Sequence, residues 1–171
     1  KATFMGDEAF RGATLGDSSI PNISLDLRGL TTIDNYKHFW AANIYMPIYF
    51  PENLDNSLST GAMSFYQAQI YADLTLYNFN RIDGAQVFRG ADIHNSVLDL
   101  RWLTNYPSDT TFDSTKIRGG LIRLNSAIAD IFTQKPHDFL VAGNYQNTTY
   151  SVPSSPNSDG HIVFEDLDQL N

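Results

Sequence analysis

The stretch MSFYQAQIYADLTLYNF, residues 63–79, decides how the chain is read. Within it Ile70, Ala72, Leu74 and Leu76 alternate with Tyr71, Asp73, Thr75 and Tyr77. Side chains two apart in an extended strand share a face, so this alternation predicts a strand with one dry and one wet side. Half-burial of that kind is the habit of antiparallel strands; strands covered on both faces in parallel sheets read as unbroken apolar runs. Residues 42–50 repeat the pattern, with Ala42, Ile44, Met46, Ile48 and Phe50 set against Asn43, Tyr45, Pro47 and Tyr49. Pro47 has no N–H to give to a ladder, so that strand is expected at an edge or interrupted there. Further strands are expected over 22–30, 86–93, 96–103, 139–145 and 161–164, with turns at Asp83-Gly84, Pro107-Ser108-Asp109, Gly119-Gly120 and 153–160 between them.

Composition agrees with a strand-rich chain. Polar surface comes from 16 Asp, 14 Asn and 27 Ser plus Thr, against 3 Glu and 4 Lys. Asp, Asn, Ser and Thr compete with the helical backbone for hydrogen bonds, whereas Glu and Lys tolerate helices well. Two short helices are still expected: one over 121–132, from the spacing of Leu121, Leu124, Ile128 and Ile131, and one behind Asp34 as N-cap. The expected fold is mainly β, an antiparallel β-sandwich or jelly-roll-like domain with one or two short helices. Its 171 residues, 42% hydrophobic, suffice for one core. Residues 1–150 read as a single β-rich domain, and 151–171 as a linker-like turn and short C-terminal extension packed on it.

A second signal is an internal echo. Phe-Arg-Gly-Ala occurs at 10–13 and 88–91, and Leu-Asp-Leu-Arg comes after it at 25–28 and 98–101. A weaker third copy starts at Ile117-Arg118-Gly119-Gly120. Ordered repeats of this kind mark a repeated structural unit. Apolar residues also recur every five at Phe10, Leu15, Ile20, Leu25 and Leu30, and at Phe88, Ile93, Leu98 and Leu103. In this the chain resembles the pentapeptide-repeat family. The resemblance implies the alternative fold, a right-handed β-helix of degenerate pentapeptide type, square in section, with the central apolar residue of each five pointing inward. Arg28 and Arg101 break its small-residue position, Ile23 is too large for it, and the register lapses over about 31–64 and after 133. In the sandwich reading, Arg28 and Arg101 instead lie at solvent or pair with an Asp, which avoids a buried unpaired charge.

The functional signals are fewer. Net charge is −8, which argues against a nucleic-acid binder. Cysteine is absent, which removes disulfides, thiolate zinc sites and cysteine nucleophiles. No apolar run is long enough to span a membrane. The metalloprotease, serine-hydrolase and phosphate-loop motifs are missing, and His38, His94, His137 and His161 are dispersed, so the chain is expected not to be an enzyme. Residues 155–166, SPNSDGHIVFED, read as an Asp-Gly turn between strands. The alternative reading is a degenerate calcium loop, with Asn157, Asp159 and Asp166 as ligands and calcium as the cofactor. Tyr36 and Trp40, and Trp102 and Tyr106, form two aromatic groups beside loops, suited either to packing or to stacking on sugar rings. The expectation is a structural or recognition subunit of a surface, filament or virion, working through sandwich edges and aromatic loops. Its partners would be its own copies or other subunits, and its setting extracellular, at a cell surface, or in a virion. The alternative is a carbohydrate-binding module of a secreted protein, with a glycan as partner.

Overall fold

The computed structural model describes residues 4–5, 8–20, 22–30, 32–33, 37–51, 57–58, 65–76, 79, 81–82, 86–104, 111–112, 115–128 and 161–165. Every strand pairing in it is parallel. A five-stranded sheet stacks, in this order, β2 (Thr14–Leu15), β5 (Asn43–Ile44), β8 (Gln69–Ile70), β11 (Asp92–His94) and β13 (Lys116–Arg118). A four-stranded sheet stacks β9 (Leu74–Thr75), β12 (Val97–Leu100), β14 (Leu121–Asn125) and β15 (His161–Glu165). Three further pairs join β1 (Phe4–Met5) to β4 (Thr32–Ile33), β3 (Leu25–Asp26) to β6 (Ile48–Tyr49), and β7 (Ser57–Leu58) to β10 (Arg81–Ile82).

The register shows what the chain does. Leu15, Ile44, Ile70, Ile93 and Ile117 fall in one column, each reached by a further circuit of the chain, and the circuits differ in length. Leu74, Leu98, Ile122 and Ile162 form a second column. The backbone winds round and returns above itself, and the rest of each circuit supplies the long crossover that parallel pairing needs. The antiparallel sandwich or jelly roll is therefore corrected to a stack of parallel coils. The alternation that suggested it is real, but it spans a corner. Ile70 ends β8 and Leu74 begins β9 in a different sheet, and both are fully buried. Pro47 likewise sits between β5 and β6, and its carbonyl accepts from the Leu25 N–H. Inward and outward positions alternate in a coil as they do in a hairpin, and alternation carries no information about strand direction.

One corner repeats five times among the described residues. Phe10 and Ala13, Phe39 and Ala42, Phe65 and Ala68, Phe88 and Ala91, and Phe112 and Thr115 each close a four-residue turn, the last N–H donating to the first carbonyl. The third residue has positive φ in the first four: Gly12, Ala41, Gln67 and Gly90. That is the type II turn, which asks for a left-handed residue at this place. The five phenylalanines stack with ring centroids 5.0 to 5.3 Å apart and planes within 15°. Alanine or threonine after the turn leaves room for those rings. Coil-to-coil hydrogen bonds continue through the corner, as in Gly12 N–H to Trp40 O and Gln67 N–H to Arg89 O. Buried hydroxyls are satisfied from the coil before: Ser96 donates to Ile70 O and Thr115 to Phe88 O.

Both expected helices meet difficulties. Residues 121–128 form β14 and one 3-10 turn, Ser126–Ile128, because Ile122 and Leu124 alternate into the interior. Behind Asp34, Lys37 and Ala41 have positive φ, which an α-helix does not accommodate; residues 34–36, like 129–160, lie outside the described residues. Of the strand 22–30 only Leu25–Asp26 pairs, and 86–90 is turn. The boundary expected at 150/151 and the strand 139–145 also lie outside the described residues, while β15 pairs along its length with β14.

The Leu-Asp-Leu-Arg echo has a local cause. In both copies the Asp carboxylate accepts from the backbone N–H and the guanidinium of the Arg two residues on. The Arg28–Asp26 side chains are 60% and 51% exposed, whereas those of Arg101 and Asp99 are 4% and 8% exposed. The same clasp therefore serves once at the surface and once in a dry setting.

Candidate functional site

The repeated corner also aligns the residues just beyond it. Counting from each phenylalanine, the fifth residue is Thr14, Asn43, Gln69, Asp92 or Lys116, and the seventh is Gly16, Tyr45, Tyr71, His94 or Arg118. The sixth is the buried Leu15, Ile44, Ile70, Ile93 or Ile117. Alternation turns the fifth and seventh outward, so the five-stranded sheet carries two outward rows running across the strands. Adjacent members of a row stand about 4.8 Å apart, the spacing between neighbouring strands.

The seventh-residue row is aromatic, then cationic. Tyr45 stacks on Tyr71 and Tyr71 on His94, each at 4.4 Å with planes 7° and 12° apart. These rings cover one another's facing surfaces, and along the row they present their polar edges. Tyr71 is 38% exposed. Partial burial, and then the neighbouring Tyr45 hydroxyl, raise its pKa above the ordinary phenol value. The fifth-residue row is joined to it at one end. His94 Nε2 lies 3.2 Å from Gln69 Oε1 and 3.3 Å from Asp92 Oδ1, and Arg118 Nε donates to both Asp92 oxygens at 2.9 Å. Asp92 is buried, and the Arg118 guanidinium compensates its charge, while Lys116 and the Arg118 side chain stand exposed.

A second aromatic group lies on the corner itself. Trp40 packs edge-on to Tyr66 at 5.3 Å, with the Arg11 guanidinium 4.5 Å and the Lys37 ammonium 4.2 Å from its ring centroid. Arg11 is in turn bound by Glu8 at 2.8 Å. The half-buried Trp40 thus has two cations over its ring.

Of the four aromatic residues singled out in the sequence, Tyr36 and Tyr106 lie outside the described residues. Trp40 stands on the phenylalanine corner and the half-buried Trp102 just after β12, so the described pair is divided between two corners. The calcium-loop residues Asn157, Asp159 and Asp166 are likewise outside the described residues. Among the described residues no group of three or more His, Asp or Glu is placed to hold a metal ion, and no helix is long and apolar enough to cross a membrane.

Sequence reasoning passed over Tyr45, Gln69, Tyr71, Asp92 and Arg118 as a group. The signal that finds them is Phe-x-x-Ala-x-Ile, which occurs at 39–44, 65–70 and 88–93. It continues with Leu at 10–15, and with Thr replacing Ala at 112–117. Unequal circuits hide it from any search at fixed period. No protein-family model matches this chain, and comparison with curated proteins and with solved structures finds no match.

Proposed function

We propose that the chain is a non-enzymatic structural or recognition subunit that associates with its own copies or with other subunits. The observation that supports this reading is the unbroken register of the coils. The circuits from Leu15 to Ile44, Ile44 to Ile70, Ile70 to Ile93 and Ile93 to Ile117 are unequal, yet all return their phenylalanine and their inward Leu or Ile to the same columns. Variation in circuit length is absorbed away from the columns, as in the longer connection between β2 and β3. A stack built this way offers a stiff surface on which outward residues stand at a fixed pitch, suited to holding a position in a filament, shell or surface layer. Its sheets end in backbone groups that can pair with another strand: among the described residues, β2 and β13 each have one neighbour in their sheet, and so does β15. These coil ends take the place of the sandwich edges expected from the sequence. An extracellular, cell-surface or virion setting goes with this reading and is supported by the Asn-, Ser- and Thr-rich acidic composition alone.

Light scattering over a hundredfold range of concentration tests the proposal. The expected outcome is a mass of two copies or more that grows with concentration. A single-copy mass throughout the range refutes self-association.

A further inference from the structure

We infer that the outward face of the five-stranded sheet binds an acidic polysaccharide, laid across the strands with an anionic group at the β13 end. The two outward rows differ in charge along their length. Over β2, β5 and β8 they offer neutral hydrogen-bonding groups: the Thr14 hydroxyl, the Asn43 and Gln69 amides, and the edges of Tyr45 and Tyr71. Over β11 and β13 they offer Lys116, Arg118 and His94 around an Asp92 that Arg118 already neutralises. Arg118 binds Asp92 through Nε, which leaves its two terminal nitrogens outside that pair. Lys116 is opposite Asp92 and Arg118 opposite His94 in the register, so the two cations share the outward face of β13, about 7 Å apart along the strand.

The ligand class is set by this distribution. Neutral amides and hydroxyls in line match a chain that repeats hydroxyl groups, and the cationic end matches a carboxylate or sulfate on that chain. A nucleic acid carries a charge on every nucleotide and needs a continuous cationic track, which a face with three neutral strands in a protein of net charge −8 does not supply. Ring stacking on the ligand is confined to the ends of the row, because the facing surfaces of Tyr45, Tyr71 and His94 already cover one another. Contact is through ring edges, amides and cations, which makes binding polar and salt-sensitive. The site is independent of self-association, since it lies on a sheet face and strand pairing would use the coil ends.

Binding of the whole chain to a soluble polyuronate, an uncharged polyglucan and a single-stranded DNA homopolymer, each measured by calorimetry, tests the inference. The polyuronate is expected to bind best, and more weakly as salt is raised. Lys116→Ala and Arg118→Gln are each expected to weaken it about tenfold, the scale of a hydrogen bond to a charged group. Lys116 is exposed, so its replacement leaves the fold intact; unfolding midpoints of both variants report this directly. Preference for the polyglucan or for DNA, binding to none of the three, or a correctly folded Lys116→Ala that binds the polyuronate like the parent overturns the inference.

Discussion

Replacing one ring in the phenylalanine stack probes the coil directly. Phe65 is fully buried, with Phe39 at 5.0 Å on one side and Phe88 at 5.2 Å on the other, all nearly coplanar in orientation. Phe65→Ala removes the ring from between two parallel neighbours and leaves a void that Ala42, Ala68 and Ala91 are too small to fill. Truncation of a buried phenylalanine costs about 3–5 kcal/mol, of which two stacked pairs at about 0.5–1.5 kcal/mol each are a part. Phe10 is half-buried and has Phe39 as its single stacked neighbour among the described residues. Phe10→Ala should therefore cost about half as much, which sets the two variants roughly 2 kcal/mol apart. Urea unfolding followed by circular dichroism measures both, and the comparison holds if the slope against denaturant stays constant. Equal losses, or a smaller loss at Phe65 than at Phe10, would refute a continuous stack. A loss below about 1 kcal/mol at Phe65 would refute its burial between two rings.

Two other features of the fold give sharp expectations. Removing the carboxylate charge with Asp99→Asn weakens the buried Asp99–Arg101 pair and should cost more than about 1 kcal/mol, whereas Asp26→Asn opens an exposed pair and should cost less than about 1 kcal/mol; the two unfolding midpoints in urea decide it. At the left-handed corner, Gln67 (φ 56°) and Gly90 (φ 68°) occupy the same place in successive coils. Gln67→Gly relieves a steric cost and should raise stability by up to about 1 kcal/mol, while Gly90→Ala introduces that cost and should lower it by about 1–2 kcal/mol. Thermal midpoints moving in the same direction for both would contradict the turn assignment.

The amino-acid order discloses the inside of this molecule far more than its neighbours. The inward positions Ile44, Ile48, Ile70, Leu74, Leu76, Leu98 and Leu100 are legible because burial repeats every second residue, and that holds whether the next strand runs up or down. Direction is legible only where the corner is, and the corner is written in two residues of four. The flanking Phe and Ala are constrained by the stack, while the two between them face out and vary: Arg11-Gly12, Trp40-Ala41, Tyr66-Gln67 and Arg89-Gly90. Two copies coincide as Phe-Arg-Gly-Ala and are seen as an echo; the others share the geometry without the letters. The reading by fives holds inside one circuit, where Phe88, Ile93, Leu98 and Leu103 are all buried, and is lost between circuits for a related reason. A square coil with five residues to each side is shorter than any circuit between Leu15, Ile44, Ile70, Ile93 and Ile117, and those circuits are unequal, so a fixed period drifts out of register within one turn. The helix expected at 121–132 shows the complementary limit. Leu121, Leu124 and Ile128 satisfy a helical spacing, yet the strand formed instead buries Ile122 and Leu124 against Leu98 and Leu100 of the coil before. Pairing with the coil before outweighs the local preference, which is weak in any case. The outward rows are the least legible part. Tyr45, Tyr71 and His94 belong to three successive circuits and meet because their corners align. A binding surface on such a coil is a property of the register, and it becomes visible in the sequence only after the phenylalanines have been lined up.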